Sequence, residues 1–93
     1  MKLPYIFDSR GEAEMAAIWL LHEVKKEIDR WGLVSVADVH GIANRITCDD
    51  YKSNFTDNKY GWTIEDDLYI IPYREPHWGY SVYGLELPEP KLI

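Results

Sequence analysis

The side chains of this chain that could do chemistry are few and far apart. His22, His40, His77 and Cys48 are its soft ligands and nucleophiles, and Asp49-Asp50 and Glu65-Asp66-Asp67 are its runs of adjacent carboxylates. A nucleophilic thiol needs a base within hydrogen-bond reach, and that base needs a third group to orient it. His40 and Cys48 stand eight residues apart across the expected end of a helix, with no acidic residue placed to orient the imidazole. Cys48 therefore reads as a small buried hydrophobe. As the single cysteine, it also excludes an internal disulfide and any CxxC metal or redox pair. His77, next to Trp78 in a turn-forming segment, reads as an exposed residue.

Adjacent carboxylates can hold a cation or share acid–base work. A calcium loop, however, needs ligands at alternating positions, a glycine at its sharp turn and a closing glutamate, and DDYKSNFTDN has neither glycine nor glutamate. No metal, cofactor or catalytic group is expected. Two readings remain for the carboxylates. The structural one is turn capping and solvated loop charge. The functional one is an acidic recognition face made by Asp49, Asp50, Asp57, Glu65, Asp66 and Asp67, with Trp78 and Tyr80 at a hairpin tip as aromatic anchors.

Charge placement favours an acidic face in the second half. Residues 1–46 carry six Lys and Arg against seven Asp and Glu, and residues 47–93 carry four against nine, so −5 of the net −6 lies there. Binding to a phosphate backbone needs clustered cations, and an acidic surface gains no counterion release, so direct nucleic-acid binding is disfavoured. The 93 residues fit one domain, and a composition 46% hydrophobic and 14% aromatic predicts a packed core. MKLPYIFDSR is too short in its apolar run for a signal peptide, and no stretch reaches the length of a membrane span, so the expectation is an intracellular protein without a membrane partner.

The elements that must position these residues follow from periodicity. LPYIF, residues 3–7, reads as a short strand. Ser9 with Glu12 has the S-x-x-E form of a capping box and starts a long amphipathic helix. Ala13, Ala17, Leu20, Val24, Ile28 and Trp31 then recur at helical spacing as its apolar stripe, with His22, Lys25, Lys26, Asp29 and Arg30 on the other side and Gly32 ending it. Leu33 and Val34 are extended. Ser35 with Asp38 caps a second, shorter helix whose inner face is Val36, Val39, Ile42, Ala43 and Ile46. Gly41 weakens that helix, which close packing on the first helix would explain.

Residues 47–63, TCDDYKSNFTDNKYGWT, have no period, but their aromatics argue for an ordered loop. Within it, Gly61 supplies a positive φ, and Tyr60 and Trp62 close over the junction of helix and hairpin, locking the loop. Thr63 and Asp66 then cap a single helical turn. LYIIPYRE and YSVYGLEL, separated by PHWG, form an antiparallel hairpin with Pro72 at an edge or bulge, and PEPKLI leaves the sheet. The fold class is α+β, with a helix–helix–hairpin order that is winged-helix-like. A DNA reader would need cations on the second helix or the wing, and only Arg45 and Arg74 are there.

The order of LVSVADVHGIA, DNKYGWT and a hairpin ending in ELPEPK resembles a family of small uncharacterised bacteriophage and prophage proteins that carry a T-D-N-K-Y-G-W-T loop. The resemblance covers roughly residues 20–91 and is specific only over Thr56 to Thr63. Family hairpins have a basic first strand and a short Asp-Gly type turn, whereas this chain has LYIIPYRE and the longer EPHWGY. The resemblance implies a phage origin and an accessory role in the cytoplasm of an infected bacterial host, and supplies no activity to carry over. The leading expectation is a non-enzymatic protein that binds a host or phage protein with a basic surface, as an acidic, anti-CRISPR-like inhibitor of a defence or nucleic-acid enzyme. The alternatives are a winged-helix-like nucleic-acid-binding regulator and a small-ligand sponge using the aromatic loop.

Overall fold

A serine decides where each helix begins. The computed structural model describes residues 1–3, 5–47, 58–77 and 79–93. In it, α1 (Arg10–Trp31) starts after Ser9, whose hydroxyl accepts the Glu12 N–H at 3.2 Å. The second helix, α2 (Val36–Thr47), starts after Ser35 with the box closed both ways. The Ser35 hydroxyl accepts the Asp38 N–H at 3.1 Å, and the Asp38 carboxylate accepts the Ser35 N–H at 3.2 Å. Such a cap satisfies amides that the helix cannot satisfy itself. The first helix ends as expected at Gly32, in the left-handed region at φ 82°, with its N–H on the Ile28 carbonyl.

The inner stripe of α1 is Ala13, Ala16, Ala17, Leu20, Val24 and Ile28, all buried. Trp31 departs from expectation. At the helix end it is 68% exposed, with its ring 6.0 Å from the Arg30 guanidinium. On α2 the buried face is Val36, Val39, Ile42 and Ala43. Gly41 is exposed, and a Cβ built on it meets nothing within 4 Å, so contact with α1 does not explain this glycine.

The strands are β1 (Leu33–Ser35), β2 (Tyr60–Thr63), β3 (Ile71–His77), β4 (Tyr80–Glu86) and β5 (Lys91–Leu92). They form two small sheets, an antiparallel β1-β2-β5 sheet and the β3-β4 hairpin, so the class is α+β. The order helix, helix, hairpin is present. The strand between the helices, however, pairs with β2 rather than with the hairpin, so the winged-helix likeness is one of element order.

The YGWT segment, expected as an irregular locking loop, is the central strand β2. It pairs Val34 with Trp62 and Ser35 with Gly61 on one side, and Gly61 with Lys91 and Tyr60 with Leu92 on the other. Trp62 is buried as expected, at 1% exposure, with its indole N–H donating to the Pro88 carbonyl at 3.2 Å. Tyr60, expected to close over the helix–hairpin junction, stands 47% exposed. Nor is Gly61 among the positive-φ glycines. A Cβ there would run into the Val34 carbonyl oxygen and lie 2.8 Å from the Ser35 Cα, so the glycine is needed for close approach of two backbones. The tail also differs from expectation. It leaves the hairpin but re-enters the other sheet as β5, with the Ile93 N–H on the Lys59 carbonyl at 2.8 Å.

The hairpin ladder starts at Ile71, three residues later than expected, and runs unbroken to the His77–Tyr80 pair. Its connection is therefore two residues long rather than the extended EPHWGY turn. The N-terminal segment lies along β4's other side. Tyr83 exchanges both backbone hydrogen bonds with Phe7, and the Leu85 carbonyl accepts the Leu3 N–H. Odd-numbered residues of β4 thus bond the N-terminal segment, and even-numbered ones bond β3 at Ile71, Tyr73, Glu75 and His77. Residues 72, 74 and 76 of β3 face away from the ladder. Two of them are prolines, so β3's outer edge offers a single N–H, from Arg74, which blunts it against strand addition.

The core lies where these layers meet, with Leu20, Val24, Val34, Val39, Trp62, Leu85 and Leu87 its largest fully buried side chains. Each buried Leu or Val stabilises the fold by about 1.5–3 kcal/mol. No helix among the described residues is long and apolar enough to cross a membrane.

Candidate functional site

The described part of the expected acidic face is the turn between β2 and β3. Here Thr63 and Asp66 do not cap a helical turn; they close a reverse turn on themselves. The Asp66 carboxylate accepts the Thr63 N–H at 2.7 Å and the Thr63 hydroxyl at 3.2 Å, while the Asp66 N–H returns to the Thr63 carbonyl at 3.0 Å. Lys91 of β5 reaches the same carboxylate oxygen at 3.1 Å and also donates to the Thr63 hydroxyl at 3.2 Å. The Thr63 backbone hydrogen bond, against an opposing effect of burial and with help from Lys91 and the Thr63 hydroxyl, holds the Asp66 carboxyl below the usual carboxylate range. Asp66 is a structural clasp between turn and tail. It is not a free recognition charge.

Glu65 and Asp67, expected as recognition charges, are both exposed beside an exposed Ile64. The fold adds a carboxylate that sequence reasoning had left on the outer side of the first helix. Asp29, with Lys25 and Ile28, forms one wall of a cleft of about 220 Å³ whose other wall is Thr63, Ile64, Asp66, Asp67 and Leu68. The outward position of Asp29 on α1 was legible, but its proximity to the turn was not. Asp49, Asp50, Asp57 and Trp78, the other expected contacts, lie outside the described residues. Tyr80 begins β4, and its side chain is likewise outside them.

Of the soft ligands only the His22 and His40 side chains are described. His22 is exposed on α1, His40 is buried on α2, and Cys48 lies outside the described residues. Among the described residues no three His, Cys, Asp or Glu side chains come together as a metal site. Around His40 the structure shows a buried polar joint between the N-terminal segment and α2. The Tyr5 hydroxyl donates to the His40 carbonyl at 3.2 Å and to the Asn44 side-chain oxygen, and the two rings lie 6.4 Å apart. Burial pushes the His40 imidazole below its ordinary pKa, which keeps it neutral.

A second surface was missed altogether. Phe7, Gly11, Glu12, Met15, Ala16, Trp19 and Ile46 line a mostly apolar groove of about 580 Å³ where the start of α1 meets the N-terminal segment and the end of α2. Met15 on its α1 side is 71% exposed, and Ile18, one turn along the same helix, is 69% exposed. The signal was available, because Met15, Ile18 and Trp19 fall outside the buried stripe at a spacing that puts them on one helical face.

Compared with protein-family models, curated proteins and solved structures, the chain matches none.

Proposed function

We propose that this protein is a non-enzymatic accessory that works by binding another protein with a basic surface, and that in an infected bacterium it restrains a defence or nucleic-acid enzyme in the manner of an anti-CRISPR inhibitor. The observation that carries the binding reading is the β2–β3 turn. It presents Ile64, Glu65 and Asp67 to solvent on a turn closed by the Asp66 contacts to Thr63 and Lys91, with Asp29 and Lys25 across a small cleft from Ile64 and Asp67. Rigid support matters because a pre-ordered contact surface loses little entropy on docking. The net charge of −6 supports the same reading, since a field of one sign steers a basic partner toward the surface. The phage setting rests on the resemblance of the DNKYGWT segment, and the inhibitory role on the small size and acidity of the chain.

The test replaces Asp29, Glu65 and Asp67 together by lysine and leaves Asp66 in place. Exposed charges contribute little to stability, so the variant should keep its melting temperature. It should lose association with the protein recovered by the wild type from host lysate, and wild-type affinity should itself fall as salt rises. A folded variant with unchanged affinity and salt dependence would remove this face from the mechanism. Salt-sensitive, micromolar binding to duplex DNA would instead favour a nucleic-acid regulator.

A further inference from the structure

The cleft between α1 and the β2–β3 turn has an aliphatic base and a charged mouth. Ile28 and Leu68 line it and are both buried, at 5% and 6% exposure, and the exposed Ile64 adds a third aliphatic side chain. At about 220 Å³ the cleft is smaller than the ~300–1,000 Å³ of pockets that enclose a small-molecule ligand, and it has no room for a helix. Its size suits one long side chain. Aliphatic walls suit the methylene stem of such a side chain, whose charged head then stays at the mouth.

Charge decides which side chain. Asp29 lines the α1 wall and Asp67 the turn wall, and among the described residues neither takes part in an ion pair or a side-chain hydrogen bond. Asp66, also in the lining, is already held by Lys91 and Thr63. Lys25 lines the cleft too, yet it stands beyond ion-pair distance of Asp29, which follows it by one helical turn. With Lys91 set against Asp66, and Lys25 against the remaining two carboxylates, one negative charge is left uncompensated. Arg30 does not line the cleft; its guanidinium lies by the Trp31 ring. Asp29 also sits in the last turn of α1, where the carbonyl end of the helix disfavours a carboxylate. A cation bound at the mouth offsets both. An ammonium would meet the carboxylates as a point charge, whereas a planar guanidinium, with five donors, can bond carboxylates on two walls at once. Building on the protein-binding reading above, we infer that this cleft receives a single arginine side chain of the partner protein, its stem on Ile28, Ile64 and Leu68 and its guanidinium between Asp29 and Asp67.

The experiment titrates the isotope-labelled full chain with N-acetyl-arginine amide, and in parallel with the corresponding lysine and citrulline amides, and reads backbone amide shifts by NMR. Citrulline keeps the shape of arginine and lacks its charge. The arginine compound should shift the amides of Asp29, Ile64 and Asp67 saturably, the lysine compound more weakly and the citrulline compound not at all. Asp29→Asn and Asp67→Asn should each weaken arginine binding by about tenfold, the loss of one charge-assisted contact, while the melting temperature is kept. Lys25→Met, which removes the competing cation and keeps the stem, should tighten it by about twofold or more. Glu65→Gln, outside the lining, should change it little. Lysine or citrulline binding as well as arginine, shifts spread over the whole acidic surface, or asparagine variants that bind like the wild type would each overturn the assignment. So would the absence of any saturable shift. Loss of the partner by the charge-reversed variant with no arginine site keeps the acidic face and overturns the cleft. An arginine site in a chain whose charge-reversed variant still holds its partner overturns the acidic-face reading instead.

Discussion

The backbone of Gly61 lies against the backbone of Val34 so closely that no side chain fits between them. A methyl group on Gly61 would enter the van der Waals shell of the Val34 carbonyl oxygen and come within 2.8 Å of the Ser35 Cα. These are backbone atoms at the point where β1 turns into α2, so neither can swing aside as a flexible side chain would. Gly61→Ala should therefore cost about 3 kcal/mol or more, at the upper end of overpacking, although alanine is the mildest possible addition. Chemical denaturation of the variant checks this, and a midpoint within error of the wild type would contradict the β1–β2 register.

Trp62 is the largest fully buried side chain, and its indole N–H ties β2 to the Pro88 carbonyl. Trp62→Ala should destabilise by about 3–5 kcal/mol, enough to unfold a domain of marginal stability at room temperature. Trp62→Phe should lose less, since it keeps most of the apolar volume and gives up the hydrogen bond. Far-ultraviolet circular dichroism separates the two outcomes.

Asp66 predicts an acid-sensitive clasp. Its carboxyl is held below the ordinary value, about 3.9, first by the Thr63 N–H and then by Lys91. A depressed carboxylate stabilises the fold fully above its unfolded-state pKa, and that stabilisation is lost as pH falls through the folded-state pKa. Asp66→Asn should therefore lower the melting temperature at pH 7, and the gap to the wild type should close as pH falls through the folded-state pKa of Asp66. A constant gap across that range would show that the carboxylate's charge is irrelevant to the clasp.

His40 predicts a second, milder dependence nearer neutrality. Burial depresses its pKa from an unfolded value of about 6.5. The unfolded chain then takes up a proton that the folded chain refuses. Stability should be complete above about pH 6.5, decline as pH falls toward the lowered folded-state pKa, and level off below it. A proton NMR titration should show the His40 ring staying neutral to lower pH in the folded protein than in the denatured chain. Coincident titration of the folded and denatured forms would contradict the burial.

Both helices were legible from the residues alone, because capping and helical periodicity are local. Ser9 and Ser35 satisfy amides within their own first turns, and a stripe such as Ala13, Leu20, Val24 and Ile28 records which side must meet a core whatever that core turns out to be. The hairpin was legible for the same reason, its strands being neighbours in the chain. What the chain could not show locally was decided by pairing between distant segments. YGWT becomes a strand only because β1 and β5 flank it, from residues 33–35 and 91–92. The need for Gly61, the exposure of Tyr60 and the use of Asp66 as a clasp all follow from that central position. Asp29 joins the acidic turn, and Phe7 and Ile46 wall the groove, through packing across the whole molecule, which no periodicity along one element encodes.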